Sequence, residues 1–428
     1  MVLLMFALLF GLLGLGMPVA FTIMVSSFIY FFFADDVPTG IFIQRLVSGL
    51  DSFPLLAVPF FVLTGTAMSR GGIASRIFGL ADALVGHMKG ALGQINVVNS
   101  LFIGGMCGSA NADAAIDSKT LVPVMVRHGY SRGFAGAITA TSGVIAPIIP
   151  PGIGLVIFGL VANVSIGKLF IGGVVPGLLM SLSLMTVVAI ISRKRSYGGL
   201  RTHRMPLRQV LHYARDSSWA LMMPVLLIVG LRIGIFTPTE LGAIAALYSL
   251  IVGIFIYKEI KLKEVTSVLV EAVLSSGVIM LILGAATGLS YVITWEQIPQ
   301  MIVEYLTTLS DNPYLILLIL NVALLIMGTM IEGTSLLIIL TPILMPLLLK
   351  LGVDPVHFGI VMVVNLTIGA VTPPVGTILY TVCSITGTPV GEFTKEVIPF
   401  VGALILVLLL ITYLPWIVLF LPNLIMGP

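Results

Sequence analysis

Four segments of this chain interrupt apolar stretches with small and polar residues: GGMCGSANADAA at 104–115, TATSGVIAPIIPPG at 139–152, MGTMIEGTS at 327–335 and NLTIGAVTPPVG at 365–376. In hydrocarbon an unpaired backbone N–H or C=O is costly, so irregular backbone persists only where protein, water or a ligand satisfies it. The breaks therefore predict a cavity. Each also exposes the ends of two half-helices, with N–H donors that suit a carboxylate and carbonyls that, joined by Ser, Thr and Asn oxygens, suit Na⁺. On this reading Ser109 and Asn111, with the carbonyls of the 142–147 stretch from Gly143 to Pro147, form one ion site. Gly328, Thr334, Gly369 and Thr372 form a second. A bound anion is expected against Asn111, Ser142, Ser335 and Thr372. Asp113, Asp117 and Glu332 fall in or near the breaks, where an ionisable group acts as a proton carrier, cation ligand or partner of a basic residue, or caps a half-helix.

The elements that must hold these residues are transmembrane helices. Of 428 residues 58% are hydrophobic and 9% charged, far from the roughly one quarter charged of a soluble domain. Mean hydropathy is +1.16, so length here counts membrane crossings, not globular domains. A formal charge of +3 gives no footprint for nucleic acid. Cys107 and Cys383 lack metal-ligand spacing and read as packed thiols. No Lys or Arg precedes Arg45, so the apolar start is expected to be part of the membrane domain, not a cleaved leader.

Sliding the chain by 223 positions superposes the two Pro-Pro pairs, Pro150-Pro151 on Pro373-Pro374, and aligns Gly105 with Gly328, Pro123 with Pro346 and Pro176 with Pro399. Residues that fix backbone geometry match, so matched folds are expected. The repeats run over 1–200 and 217–428, joined by a basic linker at 201–216. The linker and its flank carry Arg193, Lys194, Arg195, Arg201, Arg204, Arg208 and Arg215, which the positive-inside rule places in the cytoplasm. Counting crossings outward puts a hairpin at 91–126 on the cytoplasmic side and its equivalent at 313–350 on the other, where Glu296, Glu304 and Asp311 lie without a nearby Lys or Arg. Broken helices follow each hairpin, at 133–165 and 356–387. The fold class expected is thus an all-α polytopic membrane protein of two inverted-topology repeats with re-entrant hairpins and broken helices.

Five motifs in order, FPLLAVPFFVLTG at 53–65, GSANADAA at 108–115, IPPGIGLVIFG at 149–159, FTPTELGAIAALY at 236–248 and GAVTPPVG at 369–376, resemble the large membrane subunit of the tripartite ATP-independent periplasmic (TRAP) transporters. The resemblance covers essentially the whole chain. It implies an elevator fold, in which hairpins and broken helices move against scaffold helices at 1–34 and 217–257. It further implies Na⁺ coupling, a small four-helix membrane subunit, a periplasmic substrate-binding protein and an organic anion of the sialic acid or C4-dicarboxylate class, in the bacterial inner membrane. The family's two ion sites fall on the residues named above, although Cys107, Asn111 and Ile116 depart from its serine-rich tip.

An intramembrane enzyme and an ion channel are the alternatives. The five histidines lie at loops or helix ends, and neither HExxH nor a phosphate-binding GxxxxGKS/T is present. No catalytic residue and no cofactor beyond the coupling ion are expected.

Overall fold

The computed structural model describes residues 1–34, 38–201, 203–233, 236–309 and 312–427, so Asp311 lies outside the described residues. Among them every regular element is a helix. A helix satisfies its own backbone groups, which hydrocarbon demands. Among the described residues seven helices are long and apolar enough to cross a membrane, or up to eight if the bent pair Leu207–Asp216 and Ser218–Arg232 is one span. The protein is multi-pass. The chain's first two helices, Val2–Gly14 and Val19–Phe33, turn at Gly16-Met17-Pro18, with Gly16 at a φ of +81° that a side chain would oppose.

The basic stretch at 201–216 contains a helix, Leu207–Asp216, that buries none of its side chains and meets the next helix at 66°. Leu207 and Leu211 recur one turn apart between Arg208, His212 and Arg215, an amphipathic pattern that charge counting alone conceals.

Two hairpins organise the interior. The first joins Ala91–Cys107 to Ala110–Thr120 and Val122–Arg127, and the second joins Pro313–Met330 to Gly333–Lys350. Each is followed by a broken helix, Arg132–Gly143 with Ile153–Val161 and Pro355–Gly369 with Thr377–Thr386, and then by a long helix, Ile166–Lys194 or Val390–Tyr413. Both Pro-Pro pairs sit in the breaks.

Packing partners are exchanged between the halves. Ala110–Thr120 packs on Thr377–Thr386, while Gly333–Lys350 packs on Ile153–Val161. Arg132–Gly143 packs on Val390–Tyr413, and Pro355–Gly369 on Ile166–Lys194. Outside them, Ala57–Arg70 pairs with Pro238–Ile251 and Val265–Trp295 with Val19–Phe33. Crossed pairing of this kind is what a two-fold relation between halves produces.

The hairpins enter from opposite ends of the bundle. Near the start of Val390–Tyr413, Glu396 accepts a hydrogen bond from Arg195 at 2.8 Å, and the adjoining Tyr197 carbonyl accepts from Gly90 N–H, at the base of the first hairpin, at 3.1 Å. At the other end Tyr413 Oη donates to the Tyr314 carbonyl, at the base of the second hairpin, at 3.4 Å. These 24 residues span about 36 Å. The two tips therefore approach each other from opposite sides, which is an inverted-topology repeat.

Candidate ion and substrate centre

At the first tip the chain reverses through Gly108, at a φ of +58°, where an added Cβ would lie 2.1 Å from the Pro151 carbonyl oxygen. Only glycine lets the tip rest on the Pro-Pro turn. The contact is completed by Ile153 N–H, which donates to the Gly108 carbonyl at 3.3 Å. Ser109 then caps Ala110–Thr120, its Oγ accepting from Ala112 N–H at 3.4 Å.

The second tip is built alike. Glu332 caps Gly333–Lys350, with Oε2 accepting from Ser335 N–H at 2.9 Å and from Ser335 Oγ at 3.1 Å. Its break is tied by Gly376 N–H donating to the Thr329 carbonyl at 2.8 Å and Ile378 N–H to the Ala370 carbonyl at 2.9 Å. Gly369 and Gly328 are packed so closely that a Cβ on Gly369 would fall 2.7 Å from the carbonyl carbon of Gly328.

Between the tips lies a cavity of about 150 Å³. Ser109, Asn111 and Pro147 line it from the first half, Glu332, Thr334 and Thr367 from the second. Asn111 Oδ1 is buried without a hydrogen-bond partner among the described residues. Glu332 thus brings a carboxylate to the cavity wall while its cap holds the helix end there.

Of the residues expected to bind ions, Ser109, Asn111, Pro147 and Thr334 share this cavity. Gly143 stands one layer behind, where its Cβ would be 3.1 Å from the Ala110 carbonyl oxygen. Gly328 and Gly369 face each other at the second tip and likewise do not line the cavity.

For the anion the picture differs. Asn111 lines the cavity, whereas Ser142, Ser335 and Thr372 do not. Ser142 is fully buried and donates to Asn96 Oδ1 at 2.6 Å. Ser335 is 1% exposed and turns back to Glu332, and Thr372 Oγ1 donates to the Ile368 carbonyl at 2.7 Å. Each hydroxyl is used locally, because a small side chain in an apolar helix reaches its own backbone or the neighbouring arm more readily than a ligand. Asp113 is also not a cap, since Ser109 holds that position.

Sequence reasoning overlooked the amides that fix the breaks. Asn96, on the first arm, donates through Nδ2 to Thr139 Oγ1 at 2.7 Å while it receives Ser142. Asn365, which the 223-residue shift places opposite Ser142, donates to Asn321 Oδ1 at 3.0 Å and to its carbonyl at 2.9 Å. Asn321 in turn donates to Thr412 Oγ1 at 3.0 Å. In both halves a buried amide ties the broken helix, just before its break, to the first arm of its hairpin. A lone Asn in an apolar helix was the available signal.

Opposed hairpin tips and four half-helix ends around one cavity, with Ser109, Asn111, Glu332 and Thr334 in its wall, define a membrane transport subunit. The family model "Tripartite ATP-independent periplasmic transporter, DctM component" matches residues 6–417. The chain is 40% identical over 417 residues to the sialic acid TRAP transporter large permease protein SiaM of Vibrio cholerae, covering 97% of each. It is 38% identical over 410 residues to the C4-dicarboxylate TRAP transporter large permease protein DctM of Pseudomonas aeruginosa, covering 96% of this chain and 94% of that one. Among solved structures, the YdaH transporter of Alcanivorax borkumensis superposes with a TM-score of 0.63 at 14% identity, over 90% of this chain and 89% of that one, which shows a shared fold. The chain belongs to the DctM family of TRAP transporter large permeases, and it is a transporter component, not an enzyme.

Proposed function

We propose that this chain carries out Na⁺-coupled uptake of an organic anion across the bacterial inner membrane by an elevator movement. A small four-helix membrane subunit stands beside it, and a periplasmic binding protein delivers the substrate. The observation that carries the reading is the convergence of both tips and both breaks on one cavity with the unsatisfied Asn111 Oδ1. Ion site one is assigned to Ser109, Asn111 and the Gly143 to Pro147 carbonyls, and site two to Gly328, Thr334, Gly369 and Thr372.

The relatives named for sialic acid and C4-dicarboxylate supply the substrate class, since both compounds carry a carboxylate that half-helix N-termini accommodate. Bringing an anion in against an interior-negative potential costs about 2.3 kcal/mol per charge per 100 mV, so at least as many cations must accompany it. Two repeat-related sites meet that need.

The domains proposed are the repeats 1–200 and 217–428, with scaffold helices at 1–34 and 217–257. Pro238, within the scaffold range, shares a crevice of about 680 Å³ with Asn163, Ile338 and Pro342 outside it. Uptake into vesicles holding the assembled transporter, with the binding protein outside and a panel of carboxylic acids, tests the proposal. Uptake should stop without Na⁺ and proceed without ATP, and uptake that ignores Na⁺ would overturn the coupling.

A further inference from the structure

A second polar cluster is buried inside the first hairpin. Asp113 and Asp117, one turn apart on Ala110–Thr120, are 0% and 1% exposed, and Asn99 and Ser100 on the facing arm are 2% and 0% exposed. Asn99 Nδ2 donates to Asp117 Oδ1 at 2.8 Å. Apart from the single Ser100 hydroxyl, which stands within reach of both carboxylates, the two oxygens of Asp113, Asp117 Oδ2 and Asn99 Oδ1 have no hydrogen-bond partner among the described residues. No described basic side chain forms an ion pair with either carboxylate. None of these four residues lines the central cavity.

Two neighbouring carboxylates away from water cannot both stay charged and uncompensated, because desolvation and mutual repulsion oppose it together. The nature of the compensation follows from the oxygens. One proton satisfies a single donor–acceptor pair and leaves the others bare, whereas a hard cation takes carboxylate, amide and hydroxyl oxygens at once. From this geometry we infer that Asp113, Asp117, Asn99 and Ser100 bind one hard, oxygen-ligated cation between the arms of the first hairpin. The site is separate from those proposed at the tips and does not depend on the transport reading. A cation here would also tie Ala91–Cys107 to Ala110–Thr120, so the hairpin would move as one piece.

Equilibrium binding to the purified full chain in lipid nanodiscs tests this, with radiolabelled Na⁺ in one arm and radiolabelled Ca²⁺ in the other. The Asp113→Asn, Asp117→Asn double variant should bind one cation fewer per chain in one of the arms. Ser100→Ala, which keeps both charges, should weaken the same component roughly tenfold, the scale of one lost polar contact. If the double variant fails to fold, the Ser100→Ala shift alone decides. Unchanged stoichiometry and affinity for both ions would overturn the proposal. So would a protonated-carboxyl infrared band at neutral pH that vanishes in Asp113→Asn or Asp117→Asn, because the pair would then hold a proton instead.

Discussion

Ser109 and Glu332, 223 positions apart, perform the same task at the two hairpin tips: each caps the second arm by accepting the N–H three residues on, from Ala112 and Ser335 respectively. One acceptor is a hydroxyl and the other a carboxylate, so the repeat has kept a role while changing its charge. Ser109→Ala removes the acceptor and should lower stability by about 1 kcal/mol, whereas Glu332→Gln keeps an acceptor oxygen and should cost less. Unfolding of the nanodisc-embedded protein measures both, and a larger loss for Glu332→Gln would contradict the capping role.

Gly369→Ala should be much more damaging than Gly402→Ala. A Cβ at Gly369 would meet the backbone of Gly328 at 2.7 Å, while at Gly402 it would meet nothing within 4 Å. Overpacking of this kind costs about 1–3 kcal/mol when a side chain must move, and here the obstacle is backbone. Folded yield and uptake of the two variants side by side check it, with Gly402→Ala expected to match the parent.

Asn111→Ala and Thr372→Ala should each raise the Na⁺ concentration for half-maximal uptake while leaving folded yield intact. The larger shift is expected for Asn111, a cavity-lining residue whose Oδ1 has no hydrogen-bond partner among the described residues, because the Thr372 hydroxyl is already engaged with the Ile368 carbonyl. A Na⁺ titration of uptake measures this, and identical curves for parent and both variants would remove these side chains from the ligand set.

The positions of the breaks were legible in the sequence because Gly and Pro act on their own backbone. Pro150-Pro151 and Pro373-Pro374 mark their turns without reference to any neighbour. Which wall a side chain faces was not legible. Ser142 and Asn111 look equally suited to a ligand, yet one is absorbed by Asn96 and the other opens on the cavity. That outcome depends on how the first arm of the hairpin packs against the broken helix, a contact between segments that no local pattern encodes. The helix Leu207–Asp216 was hidden for a different reason, since its Arg residues dominate the composition while its Leu spacing carries the periodicity.

Movement of the hairpins against the scaffold is the central claim, and a cross-link across the cavity tests it most directly. Ile279, on the helix Val265–Trp295 that packs on Val19–Phe33 of the proposed scaffold, lines the same cavity as Leu337 on the second arm of the second hairpin. With Cys107 and Cys383 replaced by Ala, the pair Ile279→Cys and Leu337→Cys should cross-link readily in one transport state. Addition of Na⁺ with substrate and binding protein should change its rate severalfold, and uptake should cease once the link is closed. Equal cross-linking under all conditions, together with full uptake by the linked protein, would contradict a moving domain.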